Sequence, residues 1–174
     1  MANFYTLVSH HNQDEGKRDD FYKTTQLQKK ELSIGWGEVN PFGKKYDKIK
    51  SDIELHYPYF KGTTNPDNGG KSLRLFSDLL PGDIVFVRGN KKIIDVALIT
   101  GKPFYDYNKG HDGNDYCTLV SFVPLFEDAR LAIPTIDLPN DIYGKILYEG
   151  GVKLVMRKIE ENVALQLLKM IFNH

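Results

Sequence analysis

Apolar and polar positions divide the chain into short segments, some with the period of a strand and others with the period of a helix. Alternating or continuous apolar runs predict strands over 3–10, 32–39, 84–88, 93–101, 116–124 and 152–159. Apolar positions three or four residues apart predict helices over 21–30, 44–55, 72–79 and 163–172, the last capped by Asn162. Turn formers predict a loop over 62–70, and 131–138 is extended between prolines. The pattern predicts one α+β domain over residues 1–174, a mixed or closed β-barrel flanked by short helices.

The only tryptophan, Trp36, stands between Gly35 and Gly37 directly after a strand-like approach. Glycine has no Cβ, so backbone or ligand can come close on either side of the indole. A large π-face in such a setting suits a flat, uncharged group such as a nucleobase. The alternative is a core tryptophan packed on the 72–79 helix. Ser33 and the nearby backbone could bond the edge of that base, or Ser33 could simply face solvent.

Residues 80–87, LPGDIVFV, form a turn that leads into a β-branched strand. With IGWGE at 34–38 and the stretch SLRLFSDLLPGDIVFVRGNKKIIDVALITGKPFYDY at 72–107, the chain resembles the EVE-like branch of the PUA-like superfamily. The resemblance is to the specificity domains of McrB-type and Mrr-type modification-dependent restriction proteins. It covers roughly residues 30 to 125. Residues 1–30 and those after about Asp128 lie outside it.

The resemblance implies that an aromatic pocket receives a nucleotide flipped from a duplex, with Trp36 forming part of its wall. It also implies a rim aromatic after the strand ending near Gly101, which could be Tyr105 or Tyr107. The alternative for these tyrosines is a cross-strand aromatic ladder. Asp95 could accept a hydrogen bond from an exocyclic amino group. Its alternation with Ile93 and Ala97 instead favours a mostly exposed strand face.

Charge is balanced overall, with 23 Lys and Arg against 23 Asp and Glu. Residues 44–102 nevertheless carry eleven basic and seven acidic side chains, so the basic excess falls inside the resemblance. Cations near hairpin tips and at a helix start are candidate phosphate contacts or ordinary solvated residues. These candidates are Arg88, Lys91, Lys92, Lys102, Lys71 and Arg74. A net charge of zero predicts weak non-specific binding, so affinity must come from a specific pocket.

Composition narrows the class further. No apolar run reaches the length of a membrane helix and the N-terminus has no signal-peptide pattern, so we expect a cytoplasmic protein without a membrane partner. The single cysteine, Cys117, excludes a disulfide framework and is expected to be buried packing rather than a nucleophile. Gly70, Lys71 and Ser72 resemble the end of a P-loop, but Asn65 stands where its first glycine belongs.

Signals for catalysis are poor, so we expect no catalytic residue, no metal and no cofactor. His10 and His11 are adjacent on a predicted strand, where they would point to opposite faces and could not share one metal. A small-nucleotide enzyme would need an acid–base pair near Trp36, for which only Glu38 and Asp95 are available.

The sequence therefore predicts a DNA-binding specificity module that recognises a modified base. Its partners would be modified DNA and a motor or nuclease domain or subunit of a restriction system. The alternatives are an RNA-binding PUA-like module, because single-stranded RNA bases need no flipping, and the nucleotide enzyme.

Overall fold

The computed structural model of the chain describes residues 1–89, 92–126, 133–134, 140–149 and 152–173. The strands are β1 (Phe4–Val8), β2 (Glu31–Ile34), β3 (Ile84–Arg88), β4 (Lys92–Ile99), β5 (Phe104–Tyr105), β6 (Thr118–Pro124), β7 (Ile133–Pro134), β8 (Tyr148–Glu149), β9 (Val152–Lys153) and β10 (Met156–Ile159). The α-helices are α1 (Glu15–Phe21), α2 (Leu27–Lys29), α3 (Tyr46–His56), α4 (Asn65–Ser77), α5 (Asn140–Leu147) and α6 (Glu161–Phe172). A π-helical segment (Tyr22–Gln26) joins α1 to α2, and two 3₁₀ turns cover Pro58–Phe60 and Tyr107–Lys109.

One sheet has the strand order β10-β1-β3-β4-β6-β2, with β5 paired to β6 and β7 paired to β4. β1 and β3 run parallel, and the other pairs are antiparallel. The sheet curls into a half-barrel with short helices around it. The predicted fold class, α+β with a mixed sheet flanked by short helices, is confirmed. None of the helices described is long and apolar enough to cross a membrane.

Both faces of the central strands are covered. One apolar cluster joins the sheet to α3 and α4 through residues such as Ile49, Ile53 and Phe76. A second cluster joins the other face to α5 and α6 through residues such as Ile146 and Leu167. A strand covered on both sides has no solvent face, so its sequence need not alternate.

Side-chain hydrogen bonds and one glycine explain where α1 and β3 begin. Asp14 caps α1 by accepting a hydrogen bond from the Lys17 backbone N–H at 3.0 Å. The turn before β3 places Gly82 at φ +97°, a conformation that favours glycine. Asp83 closes that turn by accepting from the Leu80 backbone N–H at 2.9 Å and ties it to β1 through the Asn3 backbone N–H at 3.0 Å.

The strand over 84–88 is confirmed to the residue, and the predicted segments 3–10, 93–101, 116–124 and 44–55 are found with shifted ends. The strand predicted over 152–159 is divided into β9 and β10, and the helix predicted over 72–79 is the second half of α4, which ends at Ser77. The loop predicted over 62–70 is wrong from Asn65 onwards, because α4 begins there and contains both glycines. The second strand ends at Ile34 instead of Val39, and α6 begins before Asn162, which therefore is not its cap. The first helix begins at Glu15 instead of residue 21, and α5 was not predicted. Most of the predicted extended segment 131–138 lies outside the described residues.

Candidate functional site

A cavity of about 460 Å³ lies where the segments after β1 and β2, the start of α4 and the link between β9 and β10 meet. This volume falls in the range of small-ligand sites, roughly 300–1000 Å³. Gly35 and Trp36 form part of its wall. Two residues of the predicted base pocket, Gly35 and Trp36, therefore lie at a cavity.

Trp36 is partly buried and packs against the larger apolar cluster. Its backbone adopts φ +61°, the left-handed region that bulky side chains rarely enter. Its indole Nε1 donates to Asn65 Oδ1 at 2.9 Å. A Cβ added to Gly69 would lie 2.8 Å from the indole Cε2, so α4 can approach the ring only with glycine at that position. The strained backbone and the hydrogen bond hold the indole in one orientation.

A second aromatic group on the cavity wall comes from the 3₁₀ turn after α3. Tyr57, Tyr59 and Phe60 line the cavity, and their ring centroids lie 4.4–6.1 Å apart. The Tyr57 hydroxyl accepts from the Glu38 backbone N–H at 3.2 Å, which connects this group to the Trp36 loop. Burial raises the pKa of Tyr57. Tyr59 is 70% exposed, so the cavity has an aromatic rim as well as an aromatic wall.

Two histidines and a tyrosine form a third part of the wall. The His10 and His11 rings stack with centroids 4.2 Å apart, and His10 also stacks on Tyr116 at 5.3 Å. The prediction that these histidines point to opposite faces is wrong, because β1 ends at Val8 and the chain turns before them. Across the described residues, no three His, Cys, Asp or Glu side chains are grouped to hold a metal.

The Tyr116 hydroxyl holds His11 through two hydrogen bonds. It accepts from the His11 backbone N–H at 2.7 Å and is also hydrogen-bonded to His11 Nδ1 at 2.7 Å. Burial, and then the proximity of His10, lowers the pKa of His11. His11 is therefore neutral near pH 7.

Two asparagine carboxamides line the same cavity with fixed orientations. Because the indole N–H can only donate, the atom of Asn65 that contacts it must be oxygen. The Val155 backbone N–H likewise donates to Asn68 Oδ1 at 2.9 Å, and Ser72 Oγ donates to the same oxygen at 2.9 Å. No residue in the described part of the chain accepts from either Nδ2. Both NH₂ groups are therefore available to acceptors on a ligand.

The other residues of the predicted base pocket lie outside this wall. Ser33 is fully buried, and its hydroxyl is hydrogen-bonded to Gln26 Nε2 at 3.0 Å and His111 Nδ1 at 2.9 Å. It therefore neither contacts solvent nor presents its hydroxyl to the cavity. Gly37 is buried against the chain at Asn114, whose carbonyl oxygen would lie 1.8 Å from an added Cβ. This close approach requires glycine.

Tyr105 and Tyr107 do not line the cavity. The Tyr105 hydroxyl donates to the Gly37 carbonyl at 2.7 Å, and the Tyr107 hydroxyl donates to Glu38 Oε1 at 3.0 Å. Burial raises the pKa of Tyr105 to about 12, so it stays protonated and able to donate. Through these hydrogen bonds, both tyrosines stabilise the loop that carries Trp36.

Asp95 and Arg88 are buried, at 4% and 1% exposure. The expectation of an exposed face for Asp95 is wrong, because helices cover both faces of β4. Asp95 accepts from the Tyr22 hydroxyl at 2.6 Å, inside the protein. Arg88 Nη2 donates to the Leu154 carbonyl at 3.2 Å. In this position Arg88 cannot contact phosphate at the surface, so that prediction is also wrong.

The predicted surface cations are scattered. Arg74 pairs with Asp78 at 3.0 Å, and Lys92 lies 3.6 Å from Asp19. Of the rest, Lys71 is half-buried in α4, Lys102 is exposed after β4, and Lys91 lies outside the described residues. None of the described ones lines the cavity. Cys117 is buried, and burial raises the pKa of its thiol to about 11, which is consistent with a packing role.

Sequence reasoning missed most of the cavity wall. Tyr57, Tyr59 and Phe60 were visible as an aromatic run around a proline, and His10–His11 as a pair, but neither signal indicates a shared wall. No sequence pattern marked Tyr116 as part of a cavity wall, because it looks like the first residue of a strand. Residues distant in sequence become neighbours only through the sheet.

The structure is an α+β fold with an aromatic-walled cavity. Comparison with family models adds the family to which the chain belongs. A model described as "Domain of unknown function (DUF8426)" matches residues 10–123, and the chain belongs to this family. No curated protein matches the chain.

Solved structures share the fold at low identity. Protein PSPTO5229 from Pseudomonas syringae is 10% identical with a TM-score of 0.50, covering 97% of this chain and 99% of that one. The Pho92 YTH domain in complex with m6A is 10% identical with a TM-score of 0.49, covering 98% and 83%. The YTH domain of Zygosaccharomyces rouxii MRB1, in complex with N6-methyladenosine RNA, is 10% identical with a TM-score of 0.41, covering 98% and 86%. At 10% identity and a TM-score of 0.50, the likeness to PSPTO5229 concerns the fold alone.

Proposed function

We propose that this chain is a nucleic-acid-binding module that recognises a modified base held in the cavity beside Trp36. The observation that carries the proposal is the fixed indole, positioned by its hydrogen bond to Asn65 in a cavity with further aromatic side chains. Stacking on an aromatic side chain is worth about 1–3 kcal/mol per base. That gain is comparable with the few kcal/mol needed to extrude a base from a duplex.

The polar groups of the wall match the edge of a base. The free NH₂ groups of Asn65 and Asn68 are donors, so they suit ring nitrogens and carbonyl oxygens. Flat aromatic surfaces and a few directed donors are the usual ingredients of a specific small-ligand site. This donor set supports recognition of a base over recognition of an apolar ligand.

The finer proposal follows from the sequence resemblance. The module would bind modified DNA and supply specificity to a modification-dependent restriction system, with cleavage carried by another domain or subunit. A small-nucleotide enzyme is less well supported, because neither Glu38 nor Asp95 lines the cavity and Asp95 is bonded to Tyr22.

Binding to labelled oligonucleotides tests this function by fluorescence anisotropy. The probes are one duplex with N6-methyladenine, 5-methylcytosine or no modification, and single-stranded RNA with and without N6-methyladenosine. We expect one modified duplex to bind at least about tenfold more tightly than the unmodified duplex, since one mismatched position typically costs about 1–3 kcal/mol. Equal affinity for modified and unmodified probes would contradict base recognition. Preference for the modified RNA would replace DNA by RNA as the partner.

A further inference from the structure

The cavity has a basic side that the sequence did not predict. Arg18, His10, His11 and Lys153 all line it, although they come from α1, the segment before α1 and β9. Those of the predicted phosphate-contacting cations that the structure describes lie elsewhere. The cavity's own basic residues are therefore candidates for a separate role.

Arg18 is the buried member of this group, at 6% exposure. Its Nε donates to the carbonyls of His10 at 3.0 Å and Asn12 at 2.6 Å, and its Nη1 donates to the Gly89 carbonyl at 3.2 Å. These bonds to neutral acceptors hold the guanidinium in place without neutralising it. No described residue accepts from Nη2.

Lys153 is the accessible member. It forms no ion pair with a described residue. Two residues further along the chain, the Val155 backbone N–H donates to Asn68 on α4. Burial lowers the pKa of Lys153, and repulsion from Arg88 and Arg18 lowers it further. The pKa of Arg18 is also lowered, mainly by burial. An anion between these side chains would offset part of that cost.

Among the described residues, no carboxylate forms an ion pair with Arg18 or Lys153. Asp112 pairs with His10 Nε2 at 2.8 Å. Asp115 lines the cavity next to Tyr116 and is exposed to solvent. Glu15 lies near Arg18 and favours its charged form. Lys153 and one edge of the Arg18 guanidinium thus remain available to a ligand.

We propose that Arg18 and Lys153 form a phosphate subsite of this cavity, binding the phosphate of the nucleotide whose base stacks on Trp36. The inference rests on the proposed base pocket and adds the anionic part of its ligand. A guanidinium with a free edge and a mobile ammonium are the usual partners of phosphate oxygens. The phosphate could belong to a nucleic-acid backbone or to a free nucleotide.

Thermal unfolding followed by circular dichroism tests the subsite without knowledge of the base. We expect inorganic phosphate near ten times its Kd to raise the Tm by about 3–6 °C above a sodium chloride control of equal ionic strength. Lys153→Gln should abolish this shift. Lys158→Gln is the matched control, because Lys158 is an exposed lysine on β10 that does not line the cavity. A shift that persists in Lys153→Gln, or no shift in the wild type, would overturn the subsite.

Calorimetric titrations identify the source of the phosphate. With a nucleoside 5′-monophosphate we expect binding about tenfold tighter than with the nucleoside, and Lys153→Gln should remove the difference. If the source is a nucleic acid, Lys153→Gln also weakens the modified duplex and reduces its salt slope by about one. Nucleoside binding without any effect of phosphate or of Lys153→Gln refutes the subsite but leaves the base pocket. A phosphate effect without nucleoside or duplex binding refutes the base pocket instead.

Discussion

Replacing Trp36 by alanine or glycine tests both the role of the indole and its unusual backbone. Removing a fully buried tryptophan costs about 3–5 kcal/mol of stability. Trp36 is only partly buried and borders a cavity, so we expect Trp36→Ala to cost about 2 kcal/mol. That figure includes about 1 kcal/mol for the lost hydrogen bond to Asn65.

The left-handed backbone at position 36 determines which of the two variants is more stable. At φ +61° alanine retains a left-handed conformation that costs about 1–2 kcal/mol, whereas glycine adopts it freely. Glycine loses about 0.5–1 kcal/mol through the greater entropy of its unfolded chain. We therefore expect Trp36→Gly to be about 0.5–1 kcal/mol more stable than Trp36→Ala, the reverse of the usual order.

Urea unfolding followed by circular dichroism measures both free energies, because the variants have no tryptophan fluorescence. Anisotropy with a labelled modified duplex then gives the affinity per folded molecule. Both variants should weaken binding by about 1–3 kcal/mol, or roughly 5- to 150-fold. Trp36→Phe retains a ring without the N–H and is expected to recover part of this loss.

Two results would refute this reasoning. If Trp36→Ala is more stable than Trp36→Gly, the left-handed backbone does not strain the folded protein. If both variants lose 3 kcal/mol or more of stability, roughly the cost of a core tryptophan, and retain wild-type affinity per folded molecule, Trp36 is a core residue without a pocket role.

Two further predictions concern stability. Gly69→Ala would place a Cβ 2.3 Å from Ile53 Cδ1 and 2.8 Å from Trp36 Cε2, so we expect urea unfolding to show a net loss of about 1 kcal/mol despite the gain in helix propensity. Gly144→Ala is its control, because a Cβ added there meets nothing within 4 Å and the substitution should stabilise α5. A Gly69→Ala protein as stable as the wild type would contradict the close contact at Gly69. Burial lowers the pKa of His111 in the folded protein from 6.5 to about 4. The unfolded chain therefore takes up a proton at a higher pH than the folded protein does. As the pH drops from 6.5 to 4, the free energy of unfolding falls by roughly 3 kcal/mol. Unfolding measured across this range should show a smaller fall for His111→Asn, and equal falls would contradict the buried neutral imidazole.

The sequence alone determined the class of fold and the position of one important residue. β-branched runs such as 84–88 form strands wherever they are buried, so local pattern was sufficient for them. Trp36 was recognisable because it stands between two glycines, and one of them, Gly37, is required by the close approach of Asn114. The predicted role of this tryptophan stays a prediction until binding is measured.

Only the tertiary structure decided which residues accompany Trp36. Asp95 and Arg88 were predicted for the site from their place on a strand and a hairpin, but helices cover both faces of the sheet and bury them. Tyr116, Asn68, Arg18 and the two histidines are brought together by strand pairing and by the packing of α4. Such neighbours share a wall because contacts between distant segments place them there, and no local period in the sequence encodes those contacts.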